Sequence, residues 1–506
     1  MYDNYTDLND LKEIMQDANE FMVERVKKLI QLKEYGINPY PYSFNANSNS
    51  KYILENFDSI DSEQEFVLAG RVMLLRRMGK VTFLNIIDQQ GTIQIYINKG
   101  VIGEKEYNLI KLIDTGDIIG VQGTVFKTKT EEITIKAKRL TMLSKSVRPL
   151  PEKYHGIQDD DLRQRHRSLD MIMNEDVKQR FINCSKAMSA IREFMAEKDF
   201  MEMETPILDT KYGGGEAKPF VTNVNALNCE VFMNVSPELY LKRLIVGGID
   251  RVYTMVRAFR NEGIDRTHYP EFTLFECYMA YADYEDMMRL MEQLYEYVFL
   301  KVKGTTKANY DGVEIDFKAP WKRETMCSLV NKDTGINVEM LSREEIVRLV
   351  KEKGLLLEEQ DEGVDLEETS KGDLILMLFE TYSEKHLIEP TFVIDFPLDS
   401  SPLCKIHRSN PELIERFEPY AFGVELGNAY SELNDPLRQR ILLHDQANKL
   451  RAGLETASPM DEEFAVAIDI AMPPTGGLGI GIDRMMMFLT DSPSIKDVIA
   501  FPLVKR

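Results

Sequence analysis

Chemistry-bearing side chains crowd three stretches of this chain. From Arg251 to Tyr284, two strand-like runs flank a polar loop that carries Arg260, Asn261, Glu262, Arg266 and His268. The runs, Arg251 to Arg260 and Phe272 to Tyr281, are rich in β-branched and aromatic residues. Strand residues alternate faces, so Phe272, Glu276 and Tyr278 share one. A carboxylate on an otherwise apolar face is costly without a cationic partner. No basic residue in that strand supplies one, so the partner comes from elsewhere in the fold or from a ligand.

The second stretch, Glu415 to Pro436, places Asn428, Tyr430 and Glu432 on one face of a strand. Glu418 and Glu425 precede them, close enough in a folded turn to share a divalent metal. Hard carboxylate oxygens near phosphates are what Mg2+ requires. In the third, glycines 476, 477, 479 and 481 would let a ligand lie directly on a strand, and Arg484 opens the helix that follows. This string matches neither a Walker A loop nor GxGxxG, so P-loop and dinucleotide readings fail. A polar loop or a solvated face would account for any one of these residues alone.

The elements that hold them are legible in outline. Residues 7 to 35 read as one helix that ends at Gly36, with Pro39 and Pro41 barring continuation. Its second half is basic, through Arg25, Lys27, Lys28 and Lys33, and could touch phosphates or simply face water. Residues 66 to 145 hold five short strand candidates and one helix, Lys105 to Leu112, a pattern that suits an OB-type barrel. Such barrels stack bases on aromatics in a basic groove. Phe83 and Gln94 are candidates for base contact, with Arg71 nearby; Phe83 could equally be core. Arg163, Arg165 and Arg167 could meet an RNA backbone. A long helix, Glu175 to Lys198, leads into a strand that closes at Pro206, and Gly213, Gly214 and Gly215 mark a turn or a close approach. From about 304 to 388 the chain turns helical and acidic, as an insertion would.

At 506 residues the chain is too long for one core. Its five cysteines are far apart with no CxxC spacing, which argues against zinc and for a reducing compartment. The acidic N-terminus is no signal peptide, and no apolar run reaches membrane-spanning length. A net charge of −21 argues against nucleic acid on its face. The segment Phe66 to Arg148, however, has 14 Lys plus Arg against 7 Asp plus Glu, a net +7. A basic module on an acidic body can still bind a polyanion.

Taken together, the strand ending in Pro206, the FRNEG…H…PEF…E block and the GxGxDR block resemble motifs 1, 2 and 3 of class II aminoacyl-tRNA synthetases. KLIQLKEYGINPYP, GRVMLLRRMGK, RPLPEKYHG, PELYLKRLIVGG, HYPEFTLFECYMAYADY, SELNDP and GGLGIGIDRMMMFLTDSPSIKDV are similar to strings of the lysyl-tRNA synthetase family in subclass IIb.

The resemblance implies an α+β chain: an N-terminal OB-fold barrel and an antiparallel catalytic sheet of six or seven strands flanked by helices, with a helical insertion. It divides the chain into an N-terminal extension (1–60), an anticodon-binding barrel (61–148), a linker (149–170) and a catalytic domain (171–506, insertion 304–388). It implies lysine activation with ATP and Mg2+, then transfer of lysine to the 3′ end of its cognate tRNA. Arg260 would grip the α-phosphate and the amino acid carboxylate, Glu262 would read the adenine amino group, and His268 would reach the γ-phosphate. Phe272 and Arg484 would sandwich the adenine beside Gly481, and Glu418 and Glu425 would hold Mg2+, with Glu425 also among the ATP contacts. Gly214 and Glu238 match positions for the α-amino group; Glu276, Tyr278 and Glu432, completed by Asn428 and Tyr430, match those around the side-chain ammonium. Arg71, Phe83, Gln94 and Glu132 match positions that meet the anticodon. A cytoplasmic homodimer, joined through motif 1 and without a membrane segment, is implied too.

Aspartyl and asparaginyl relatives share this architecture, but the aspartyl type needs cations in the pocket, and none stands out in these segments. A paralogue charging another acceptor is the other alternative. Three departures from the family pattern are Tyr269 where Asn is usual, Glu216 and Lys218 in GGGEAKPF, and Ala471 where Gly is usual.

Overall fold

The computed structural model describes residues 7–151, 159–354, 369–454 and 456–504. Part of the expected linker and much of the acidic run in the insertion fall outside them. The chain divides into two compact units, Met1–Gln158 and Asp159–Arg506.

In the first unit five strands close a barrel: β1 (Glu65–Met78), β2 (Val81–Ile87), β3 (Thr92–Asn98), β4 (Ile118–Lys127) and β5 (Ile133–Ser144). Their order around it is β1-β2-β3-β5-β4. The alternation in sequence becomes alternation in burial: on β2, Thr82, Leu84 and Ile86 point inward while Phe83 and Asn85 stay half-exposed. Leu68, Val72, Leu84, Ile95, Val121 and Ile135 fill the interior. The helix Glu104–Leu112 sits between β3 and β4, as its sequence predicts.

The N-terminal helix is two helices, Leu8–Ile14 and Glu20–Glu34. Asn19 caps the second by accepting from the Met22 amide, which forces a break where the apolar spacing alone reads through. Its basic residues do not all face water. Arg25 is buried and donates to the Thr115 carbonyl at 2.9 Å, and Lys28 pairs with Asp114 at 2.5 Å.

The second unit is built on a nine-stranded sheet. Six central strands are antiparallel: Thr391–Pro397, Leu413–Ala421, Gly427–Ser431, Thr475–Gly481, Glu271–Ala280 and Arg251–Phe259, in that spatial order. A short parallel strand joins each edge, Lys322–Thr325 beside Thr391–Pro397 and Met201–Glu202 beside Arg251–Phe259. The segment expected to be a helical insertion therefore also supplies a sheet strand, and a hairpin of Lys307–Tyr310 with Val313–Asp316. Its helices follow, at Met326–Thr334, Arg343–Lys353 and Lys371–Leu378.

One sheet face packs on the helices Glu175–Glu197, Tyr284–Lys303 and Ile482–Leu489. The middle helix buries Met287, Met291, Leu294 and Val298 at helical spacing, starts from a capping box at Asp283 and stops at Gly304 with φ +74°. On the opposite face a second core gathers Leu241, Tyr278, Tyr430 and Phe464.

Candidate active site

The even residues of Glu271–Ala280 and their neighbours on the sheet face one cavity of about 470 Å3. Phe272, Leu274, Glu276 and Tyr278 line it, while Phe275 and Cys277 point into the core behind. Asn428, Tyr430 and Glu432 line it from the next strands, with Gly477, Gly479 and Gly481 between. Gly214, Glu238, Arg260, Glu262, His268, Glu418, Glu425 and Arg484 complete it. Every catalytic, lysine, nucleotide and metal candidate of the sequence reading thus meets at one place.

The closed end is acidic. Glu276 is buried and accepts from Ser236 Oγ at 2.6 Å and Tyr278 OH at 3.2 Å. Burial, with Glu238 adding to it, pushes its carboxyl up to about 8, against the pull of those donors and of Arg260. Tyr430 OH donates to Glu238 Oε1 at 2.6 Å. Gly214 has φ +76°, and a Cβ there would meet Glu238 Cβ at 2.8 Å, so only glycine fits.

The glycines of Thr475–Gly481 do two different things. A Cβ at Gly477 would run into Glu432 Oε1 and the Tyr278 ring, so that glycine makes room for the pocket's own side chains. The nearest atoms to a Cβ at Gly479 are at 3.6 Å, which leaves that position open to a ligand.

The expectation that no cation stands here is wrong. Lys242, on the helix Glu238–Val246, is fully buried behind the pocket wall. Its ammonium pairs with Glu238 Oε1 at 2.6 Å and with Glu432 Oε2. The rings of Tyr430 and Tyr278 flank it at 5.4 and 6.0 Å. Burial opposes its charge, but the two carboxylates hold its pKa above the ordinary lysine value. Glu432 therefore has its partner within the fold, although its Oε1 makes no hydrogen bond. Sequence reasoning missed Lys242 because Glu238 and Lys242 look like an ordinary helical i,i+4 pair.

The open end is basic and lies largely on the loop 260–270. Arg260 sits 5.1 Å over the Phe272 ring, and its buried Nε has no hydrogen-bond partner. Burial lowers its pKa, against the pull of Glu425, Glu262 and Glu276. Arg484 donates to the Glu425 carbonyl at 2.6 Å, pairs with its carboxylate at 3.1 Å, and lies 3.1 Å from His268 Nε2. The other ring nitrogen of His268 is 2.7 Å from Asp265. Asp265 is held down to about 2: burial opposes this, but the Thr267 and His268 amides and the imidazole all favour its charge. Glu262 accepts the Lys218 amide at 3.2 Å. Tyr269 turns inward, and its hydroxyl accepts from the Leu503 amide.

Glu418 and Glu425 flank one turn, since Tyr420 pairs with Glu425 across it. Glu418 accepts from Arg416 at 2.5 Å and from Tyr420 OH at 2.7 Å. Burial raises its pKa, Arg416 opposes that, and Glu425 adds repulsion. Two mutually repelling carboxylates on a cavity wall fit a divalent cation, with further ligands from phosphate. Among the described residues no cluster of three or more His, Cys, Asp or Glu side chains could hold a metal by itself.

On the barrel, Phe83 packs edge-on to Tyr96 at 5.3 Å, and Tyr96 to Phe126 at 5.7 Å, a half-exposed aromatic row. Gln94 donates to Glu132 at 2.7 Å and accepts from Thr134 at 2.9 Å beside it. Tyr96 and Phe126 escaped the sequence reading, although Tyr96 shares a strand face with Gln94. Arg71 does not join the row: it pairs in register with Ile87 and donates to the Gly116 carbonyl at 2.7 Å. Arg76 is the residue opposite Phe83. Arg167 is likewise no exposed phosphate ligand. It is buried against Asp170 and donates to the Ala500 carbonyl.

Residues 159–505 match the family model described as tRNA synthetases class II (D, K and N). Residues 66–143 match that of an OB-fold nucleic acid binding domain. The chain is 48% identical over 491 residues to a lysine–tRNA ligase of Clostridium novyi (strain NT), covering 97% of this chain and 95% of that one. It is 47% identical to that of Thermoanaerobacter sp. (strain X514), covering 97% of each. Against that of Pelotomaculum thermopropionicum it is 46% identical, covering 99% and 98%.

Proposed function

Because the chain belongs to the class II tRNA synthetases (D, K and N), we infer that it joins lysine to tRNA at the expense of ATP. The observation that carries the choice of lysine is the polarity of the cavity: buried Glu238, Glu276 and Glu432 at its closed end, Arg260 and Arg484 toward its mouth. An amino acid with a cationic side chain and a carboxylate fits that gradient, and an acidic side chain at the closed end meets three carboxylates.

In the first step a lysine carboxylate oxygen attacks the α-phosphorus of ATP and pyrophosphate leaves. In the second the 3′-terminal hydroxyl of tRNA attacks the acyl carbon of lysyl-adenylate and AMP leaves. No enzyme nucleophile is required. Catalysis rests on positioning and on charge stabilisation at the α-phosphate. Arg260, with a free Nε on a guanidinium braced over Phe272, binds the lysine carboxylate and the α-phosphate together. Glu262 and Phe272 hold adenine, with Arg484 on its other side next to Gly481, and His268 reaches the outer phosphates. Gly214 and Glu238 orient the α-ammonium; Glu276, Tyr278 and Glu432 take the ε-ammonium, with Asn428 and Tyr430 shaping the wall. Glu418 and Glu425 would hold Mg2+, which when bound neutralises phosphate charge.

The aromatic row of Phe83, with Gln94 and Glu132 beside it, reads the anticodon. Arg71 supports that face through the Gly116 carbonyl. Exposed apolar residues of the motif 1 region, including Met201, Leu208, Val221 and Leu227, favour a homodimer. Sedimentation showing only monomer at micromolar concentration removes it. Among the described residues no helix is long and apolar enough to cross a membrane, and a cytoplasmic site of action accords with five free cysteines.

ATP–pyrophosphate exchange with each of the twenty amino acids, followed by charging of total tRNA, tests the whole reading. Lysine-dependent exchange and charging are expected. Exchange with aspartate or asparagine instead overturns the pocket assignment, and exchange without charging overturns the tRNA acceptor.

A further inference from the structure

Three carboxylates converge on the closed end of the cavity, and only two fixed cations are placed to balance them. Lys242 is clamped by Glu238 and Glu432, and Arg260 acts on Glu276 from the other side. With all five groups charged, the pocket carries one net negative charge. Free lysine carries one net positive charge. The match depends on a residue that does not line the cavity at all.

We propose that Lys242 is a positioning residue that sets the specificity of the amino acid pocket: its ammonium keeps Glu238 and Glu432 ionised and aimed, and fixes the pocket charge at the complement of a monocationic amino acid. The same clamp denies Lys242 to an acidic side chain, since both neighbouring carboxylates already hold it. The proposal rests on the lysine reading given above and adds a residue to it.

The surroundings leave no substitute for this ammonium. Facing it are Glu238 on its own helix, Glu432, and the phenols of Tyr278 and Tyr430. Glu276 stands beyond Glu238, and Cys404 behind Glu432, with its thiol pushed up by burial. None of these is a cation at neutral pH. Tyr430 already donates to Glu238, so the remaining buried oxygens have no donor in reserve. Without Lys242, two buried carboxylates face each other uncompensated, and such a pair retains a proton. That proton sits where the substrate ammonium must bind, and has to leave before it does.

The test is lysine binding to Lys242→Met by titration calorimetry in buffers of different ionisation enthalpy, which counts the protons released. The expected result is about one proton more than for the unmodified chain at pH 7. Lysine affinity should fall on the order of 10- to 100-fold. That loss should narrow as pH rises to 9, and ATP affinity should stay unchanged. An unchanged proton count, or a loss of affinity that is flat with pH, overturns the proposal and leaves Lys242 a packing residue.

Should the variant not fold, the unmodified protein carries the test. With lysine side chains labelled with 15N at Nζ, a solvent-shielded ammonium signal should persist at pH 9 with and without bound lysine. Its deprotonation, or its loss on lysine binding, overturns the proposal. Absence of lysine-dependent exchange in the unmodified chain would instead remove the lysine reading itself, so the two failures are distinguishable.

Discussion

The cavity of the second unit and the aromatic face of the barrel handle their polar groups in opposite ways. In the cavity, charges are buried, pre-paired and pushed off their ordinary titration ranges, as with Glu276 at about 8. On the barrel face, Phe83, Tyr96, Gln94 and Phe126 are half-exposed, and the polar contact is a neutral amide bridging Glu132 and Thr134. The first design suits a small ligand that must be told from near relatives by charge. The second suits flexible nucleotides that stack wherever a ring is offered. Damage to one should leave the work of the other intact.

The largest break in that division comes from Arg260→Ala. It removes the guanidinium aimed at both substrates, so exchange kcat/KM should fall by about 4 kcal/mol, roughly a thousandfold, in steady-state exchange assays. Glu276→Gln keeps shape but not charge. It should raise the KM for lysine on the order of 100-fold while the KM for ATP barely moves. A comparable loss for both substrates would mean that the acidic end is not separate from the nucleotide end.

Phe83→Ala sharpens the comparison from the other side. It should weaken tRNA in charging assays by about 1–3 kcal/mol, with exchange unaffected. An equal loss in exchange would show that the barrel face is not confined to tRNA.

The pH dependence is smaller and belongs to the cavity alone. With its pKa raised to about 8, Glu276 is protonated at pH 6.5 and increasingly ionised above pH 8. Its attraction for an ammonium therefore grows with pH, and the KM for lysine should fall about tenfold between pH 6.5 and 8. That of Glu276→Gln should be flat in the same range. The smallest effect lies outside both regions. Ala471 has φ +85°, in the region that favours glycine, so Ala471→Gly should stabilise the protein by about 1 kcal/mol, read as a raised Tm, with no change in either activity.

Strand chemistry made much of this legible from residues alone. Period-2 spacing placed Phe272, Glu276 and Tyr278 on one face, and they line one cavity. The barrel strands also follow their alternation. What stayed hidden depends on tertiary placement. Glu238 and Lys242 carry the spacing of a surface pair, and only the packing of their helix against Tyr430 and Phe464 turns it inward. Arg167 and Arg25 read as exposed cations because a local pattern cannot show which backbone carbonyls will need a donor. The break before Glu20 was masked by apolar residues on both sides of a single Asn cap.

The crowding at Gly477 has a historical consequence. While Glu432 and Tyr278 stand, no side chain can be accommodated there, so any lineage changing this wall must first lose the acid or the phenol. Each of those losses removes a contact to the substrate ammonium before the glycine is free to vary. A change of amino acid preference at this wall therefore has no single-step route through a working enzyme. Drift there is bounded by the order in which substitutions can occur, more than by how many are needed.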